Sequence, residues 1–213
     1  MSTDRFIMPS PKGAYFLTKD NRSSWQKDVL KRLFGFEESP KLNSDTLKSI
    51  FNSPKLTTAS AVNDLKQKIK LFQQLQLVDI FAKSLQAPSL QLENNLNNLF
   101  QSFTSKQKVL LSDSQGFCIA SHGFPVDMNE EISVLSADIA IMHKRRAKLV
   151  IEKLQLNFHA WSIVDSMGKS RLGFWPINID NEVFVLTIQG EPFFNNKLFT
   201  SLVWMLHLKY GNK

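Results

Sequence analysis

Apolar positions recur at helical spacing over Trp25, Val29, Leu30, Leu33 and Phe34, behind Ser23 or Ser24 as a cap. A second short helix follows Asn43 or Ser44, with Leu47, Ile50 and Phe51 inward, and Asn52-Ser53-Pro54 stops it. A third opens at Thr57 or Thr58 and carries the stripe Ala61, Val62, Leu65, Ile69, Phe72 and Leu75. Leu77 to Phe81 reads as a strand or as one more helical turn. Residues 1–22 show no periodicity and contain Pro9 and Pro11, so a flexible arm is expected there.

After Ala87-Pro88-Ser89 the pattern changes. Leu92, Leu96, Leu99, Phe100 and Phe103 form a helical stripe with Asn and Gln outside it. Lys108 to Gly123 then holds two apolar runs around Asp113-Ser114-Gln115-Gly116, a β-hairpin signature. Met128 to about Leu154 is a long helical pattern; Met128, Ile132, Leu135, Ile139 and Met142 make one stripe, and Val134 and Ile141 lie off it. One short sheet covers a single helix face, so this pattern asks for a second covering layer. Phe158 to Val164 and Ser170 to Trp175 read as a hairpin around Asp165–Gly168, and Ile177 to Asn181 as a loop. Glu182 to Ile188 is apolar on both alternate sets, as in a strand buried on both faces or at a dimer seam. A last helix turns Phe194, Leu198, Leu202, Met205 and Leu206 inward. The order α-β-β-α-β-β-β-α predicts an α+β fold, an antiparallel five-stranded sheet with flanking helices. The expected organisation is an arm (1–22), a small, mainly helical domain (23–87) and an α+β domain (88–213).

Composition narrows the class. An apolar fraction of 43% with 21% charged residues is that of a soluble globular chain. The single Cys excludes an intramolecular disulfide and fits a reducing compartment. Phe6-Ile7-Met8 is too short for a signal peptide, and no apolar run approaches the roughly 18 residues of a membrane span. A cytoplasmic protein is expected. The net charge is +7, and residues 1–105 carry 14 basic against 9 acidic side chains. That excess permits nucleic acid, an acidic partner or an anionic surface without requiring any of them.

Catalytic signatures are missing. Gly168-Lys169-Ser170 echoes the end of a phosphate-binding loop, but Ile163 stands where its first Gly is needed. The four His are scattered without metal-ligand spacing, and Cys118, read as mid-strand, is expected to pack inside. No enzyme, cofactor or metal is expected. Lys144, Arg145, Arg146 and Lys148 form a basic cluster late in the long helix, suited to phosphate or an acidic protein surface, or simply solvated. The three N-terminal helices followed by a short apolar run resemble a winged-helix domain, which implies Lys66, Lys68 and Lys70 as possible DNA contacts. These lysines spread over about 200° of the helix, so they also fit a solvated face.

From about Ser89 onward the chain resembles the Roadblock/dynein light chain family. The residues that carry this are the leucine-rich helix running into KVLLSDSQGFCIASHG, the long helix in VDMNEEISVLSADIAIMHKRRAKL, and the closing EVFVLTIQGEPFFNNKLFTSLVWML. Bulky RLGFWPI in the second hairpin departs from the family, and profilin-like and longin-like folds share the same elements. The resemblance implies a helix-covered sheet, a homodimer, and a non-enzymatic role in regulating small Ras-like GTPases or in scaffolding larger assemblies, including bacterial polarity and motility systems. It implies a dimer or partner interface at Ile132, Leu135, Ile139, Met142, Phe158, Trp161 and Ile163. The alternative is a DNA-binding regulator with a winged-helix reader and a Roadblock-like dimeriser or sensor.

Overall fold

The computed structural model describes residues 4–20, 22–53, 58–88, 99–100, 104, 108–156 and 158–212. Its centre is a five-stranded antiparallel sheet. The strands are β3 (Lys108–Asp113), β4 (Cys118–His122), β5 (Trp161–Val164), β6 (Ser170–Ile179) and β7 (Glu182–Gln189), in the order β4-β3-β7-β6-β5. The α+β architecture expected from the pattern is the one observed. β7 lies in the middle, and Phe184, Val185, Leu186, Thr187 and Ile188 are buried on both faces. The first hairpin closes as the Asp113–Gly116 signature requires. Asp113 Oδ1 accepts from the backbone N–H of Gln115 and Phe117, each at 2.9 Å, and Gly116 takes φ +91°.

Two stretches are longer or shorter than the pattern suggested. Ile177 to Asn181 is not a loop: β6 runs on to Ile179, and only Asp180 and Asn181 turn the chain into β7. Pro176 is tolerated because β5 pairs β6 no further than Phe174, so that part of β6 is a free edge on one side. Conversely, the strand expected over Phe158 to Val164 begins only at Trp161. Cys118 opens β4 and is exposed, not packed inside.

One face of the sheet carries α5 (Asn129–Lys153), which lies over β3, β4, β6 and β7. The contact is made of small residues: Ser133, Ser136, Ala137 and Ala140 are buried, and Ser136 and Thr187 share a hydrogen bond of 2.8 Å between their hydroxyls. The opposite face carries α6 (Lys197–Tyr210), capped by Asn196. The helix expected over Leu92 to Phe103 lies largely outside the described residues.

The N-terminal half packs on the side of the sheet away from α5. β1 (Phe6–Pro9) pairs antiparallel with β2 (Val78–Phe81), and between them run α1 (Pro11–Thr18), α2 (Trp25–Phe34), α3 (Ser44–Ile50) and α4 (Ala59–Gln74). The expected caps act: Ser24, Asn43 and Thr58 accept from the first turns of α2, α3 and α4. The arm at 1–22 is corrected. Ile7 and Met8 are buried in β1; Pro11 sits where a helix start needs no N–H, and Ser10 caps α1. The strand after α4 finds its partner in β1, at the far end of the unit. α1 and α2 pack on α6, α1 also reaches β6, and one buried core runs through both halves. Polar links join them as well: Trp204 Nε1 donates to the Phe36 carbonyl at 2.8 Å, Asn178 Nδ2 donates to the Thr18 carbonyl at 2.8 Å, and Lys31 pairs with Asp180 at 2.5 Å.

Candidate functional site

A cleft of about 1000 Å³ lies where the ends of α2 and α6 meet residues 86–88. Lys31, Arg32 and Asp180 in its lining already have partners. Asp180 holds Lys31 with one oxygen and the Asn212 N–H with the other, at 2.5 and 2.8 Å. Arg32 donates to the Ile50 carbonyl at 2.8 Å. His207 lines the cleft with its Nδ1 unpartnered, and it hydrogen-bonds the Lys31 backbone rather than a carboxylate. Burial holds the His207 pKa down despite the nearby Asp180 charge. Among the described residues no cluster of three His, Cys, Asp or Glu side chains is placed to hold a metal, and no helix is long and apolar enough to cross a membrane.

A different kind of site stands at the β5 edge. α5 crosses the sheet from β4 and reaches the level of β5 at His143, whose Nδ1 accepts the Trp161 Nε1–H at 3.0 Å. The helix then continues for ten residues, about 15 Å at 1.5 Å per residue. Its buried residues all precede His143, and none after it is buried. Beside this overhang, β5 pairs β6 on one side and, among the described residues, has no strand on the other. The edge is apolar as well as open: Ile163 is 50% exposed, Val164 54%, and Met167 at the hairpin tip 79%. Leu149, Leu154 and Leu156 are exposed on and just after the overhang. Bare strand edges and grouped exposed apolar side chains mark sites of association.

The residues singled out from the sequence divide between this ledge and the interior. Leu135 is 38% exposed on the outer flank of α5 and Met142 is half-buried. Ile163 lies on the open edge. Phe158 and Trp161 are half-buried and meet edge to face at 5.1 Å, with His143 against both rings. Ile139 packs partly against Phe174 and Val185, while Ile132 is 6% exposed and serves the chain's own core. Lys144, Arg145, Arg146 and Lys148 are all exposed and form no ion pair among the described residues. Lys66, Lys68 and Lys70 are exposed on α4, and the Lys68 ammonium sits 5.6 Å from the centre of the Phe51 ring. Val164 belongs to the strand expected over Phe158 to Val164, but Met167, Leu149, Leu154 and Leu156 were not among the interface residues expected from the sequence. Their signal was apolar residues at strand ends and past the helix, which single-chain periodicity assigns to no face.

The fold and the ledge define an α+β domain with an uncovered strand edge and helix end. No protein-family model matches the chain, and no curated protein matches it. Among solved structures it is similar to the Roadblock/LC7 domain from Streptomyces avermitilis, at 10% identity and a TM-score of 0.33, over 53% of this chain and 87% of that one.

Proposed function

We propose that this chain is a non-enzymatic regulatory scaffold that dimerises through α5 and β5 and binds a small Ras-like GTPase. The carrying observation is the ledge: an α-helix that outruns its sheet beside an apolar strand edge with no neighbouring strand among the described residues. A twofold partner fits such a ledge, because its own β5 extends the sheet and its own α5 covers the exposed flank. The N-terminal half, by packing on α6 and β6, occupies the other face and leaves the α5 side for association. The GTPase reading comes from the resemblance of residues 89–213 and from the lack of a catalytic arrangement among the described residues.

Light scattering on a size-exclusion column tests the dimer, and a strict monomer at micromolar concentration ends that half of the reading. Capture from the native host tests the partner. Recovery of a small GTPase in one nucleotide state is expected; recovery of none in either state ends the other half.

A further inference from the structure

The contact between Trp161 and His143 has a fixed chemical sense. An indole nitrogen carries a proton and no available lone pair, so Trp161 Nε1 can only donate. It lies 3.0 Å from His143 Nδ1. That nitrogen must be bare, so the imidazole is neutral and protonated on Nε2. An imidazolium carries hydrogen on both nitrogens, and with it two donors would face each other.

The surroundings leave the imidazolium without compensation. The ring is flanked by Phe158 at 5.3 Å and Trp161 at 6.5 Å between ring centres. Burial, and then the charge of His159, lower the His143 pKa. His159, on the connection into β5, is itself held low by burial and by Lys19 of the α1 end. Asp20, Arg22 and Lys27, from the same α1–α2 junction, act on His159 and leave His143 untouched. On its own helix the nearest charges are Lys144 and Arg146, both basic and exposed.

We propose that the His143–Trp161 pair is a proton-operated latch: the neutral imidazole holds the first residue of β5 against α5, and acidification opens the pair and loosens the edge strand from the helix. The sign follows from the direction of the shift. A group that binds its proton less well in the closed form favours the open form as pH falls below the ordinary His value. The latch sits where the edge strand meets the overhang, so its opening would remodel the ledge. That consequence rests on the ledge being the contact surface; the latch does not.

The test is made on the full chain by nuclear magnetic resonance between about pH 7.5 and about pH 5, the range in which a His changes charge. Trp161→Phe assigns the Trp161 indole signal among those of the four Trp. The reading predicts that His143 Nδ1 shows the shift of a bare accepting nitrogen at the upper pH. It also predicts that the indole signal moves as His143 titrates, and that protection of the Trp161–Val164 amides falls about tenfold after correction for intrinsic exchange. His143→Gln keeps an acceptor that does not titrate, and there the indole signal and the protection stay constant. A protonated Nδ1 at the upper pH, or an indole signal unmoved through the titration, overturns the latch; so does His143→Gln titrating like the unmodified chain. All these readouts are intramolecular. A latch that works in a protein that is always monomeric removes the dimer reading and leaves this one intact.

Discussion

Replacing Asp20 by Ala strands a buried ammonium. Lys27, in the first turn of α2, is 5% exposed, and its Nζ donates to an Asp20 carboxylate oxygen at 2.8 Å and to the Asp20 carbonyl. Asp20 also holds Arg22 at 2.8 Å, but Arg22 reaches into solvent and loses little when released. Removing one member of a buried pair costs about 3–5 kcal/mol. The Asp20 carbonyl still accepts from Nζ, and Lys27 can shed its proton, since burial already lowers its pKa; the low end, about 3 kcal/mol, is expected for Asp20→Ala. Lys27→Met removes the buried charge and keeps the stem that passes the Phe16 ring, so about 1 kcal/mol is expected. The double variant should then lie near Lys27→Met alone, a coupling of about 3 kcal/mol. Urea denaturation of the four proteins measures this. The Asp20 carboxyl is held well below the usual carboxylate range by its bonds to Arg22 and Lys27, which outweigh burial. Its contribution is therefore complete above about pH 4, the unfolded value, and is lost as pH falls further toward the native one. The difference between the unmodified protein and Asp20→Ala should narrow on that side. Asp20→Ala costing no more than Lys27→Met refutes the argument, and so does a difference that holds constant on acidification.

Other outcomes follow from single contacts. Ser136 Oγ also donates to the Ile132 carbonyl, so Ser136→Ala leaves the buried Thr187 hydroxyl without its mate and should cost about 1–3 kcal/mol, Thr187→Val should cost less, and the double variant should cost less than their sum, as read by chemical denaturation. Gly173→Ala would place its Cβ 2.1 Å from the Trp175 ring, which must then leave its edge contact with Phe194; about 1–3 kcal/mol and a lower melting temperature are expected. Ile163→Lys removes a half-exposed side chain from both copies of the proposed dimer, about 1 kcal/mol each, and should weaken association about 30-fold without changing monomer stability, as light scattering across a dilution series would show.

Legibility in the sequence tracked how many layers each element touches. α2, α3 and α4 have one buried stripe each, and their caps and stripes could be read directly from Ser24, Asn43, Thr58 and the leucines behind them. The same held for β7, where five consecutive buried residues announce a strand with neighbours on every side. α6 was different. Phe199, Leu202, Val203, Trp204, Met205, Leu206 and His207 are all buried, because the helix lies between the sheet and the N-terminal half; a one-faced stripe describes only part of that. The arm at 1–22 failed for a related reason: β1 is buried by β2, some seventy residues away, and its Pro residues punctuate a strand end and a helix start that local pattern cannot tell from a loop. α5 is the converse case. Its second apolar face asked for a layer from the N-terminal half or from another copy, and the first does not supply it: Val134, Ile141 and Leu149 stay exposed while the N-terminal half sits on the far side of the sheet. The small residues Ser133, Ser136, Ala137 and Ala140, which a hydrophobicity scale passes over, are what bring the helix down onto the strands. The apolar residues it leaves outside are therefore not a core that was misread. They are surface that the described residues of this chain do not cover, and they lie beside the one long-helix histidine, His143, which accepts the Trp161 indole N–H.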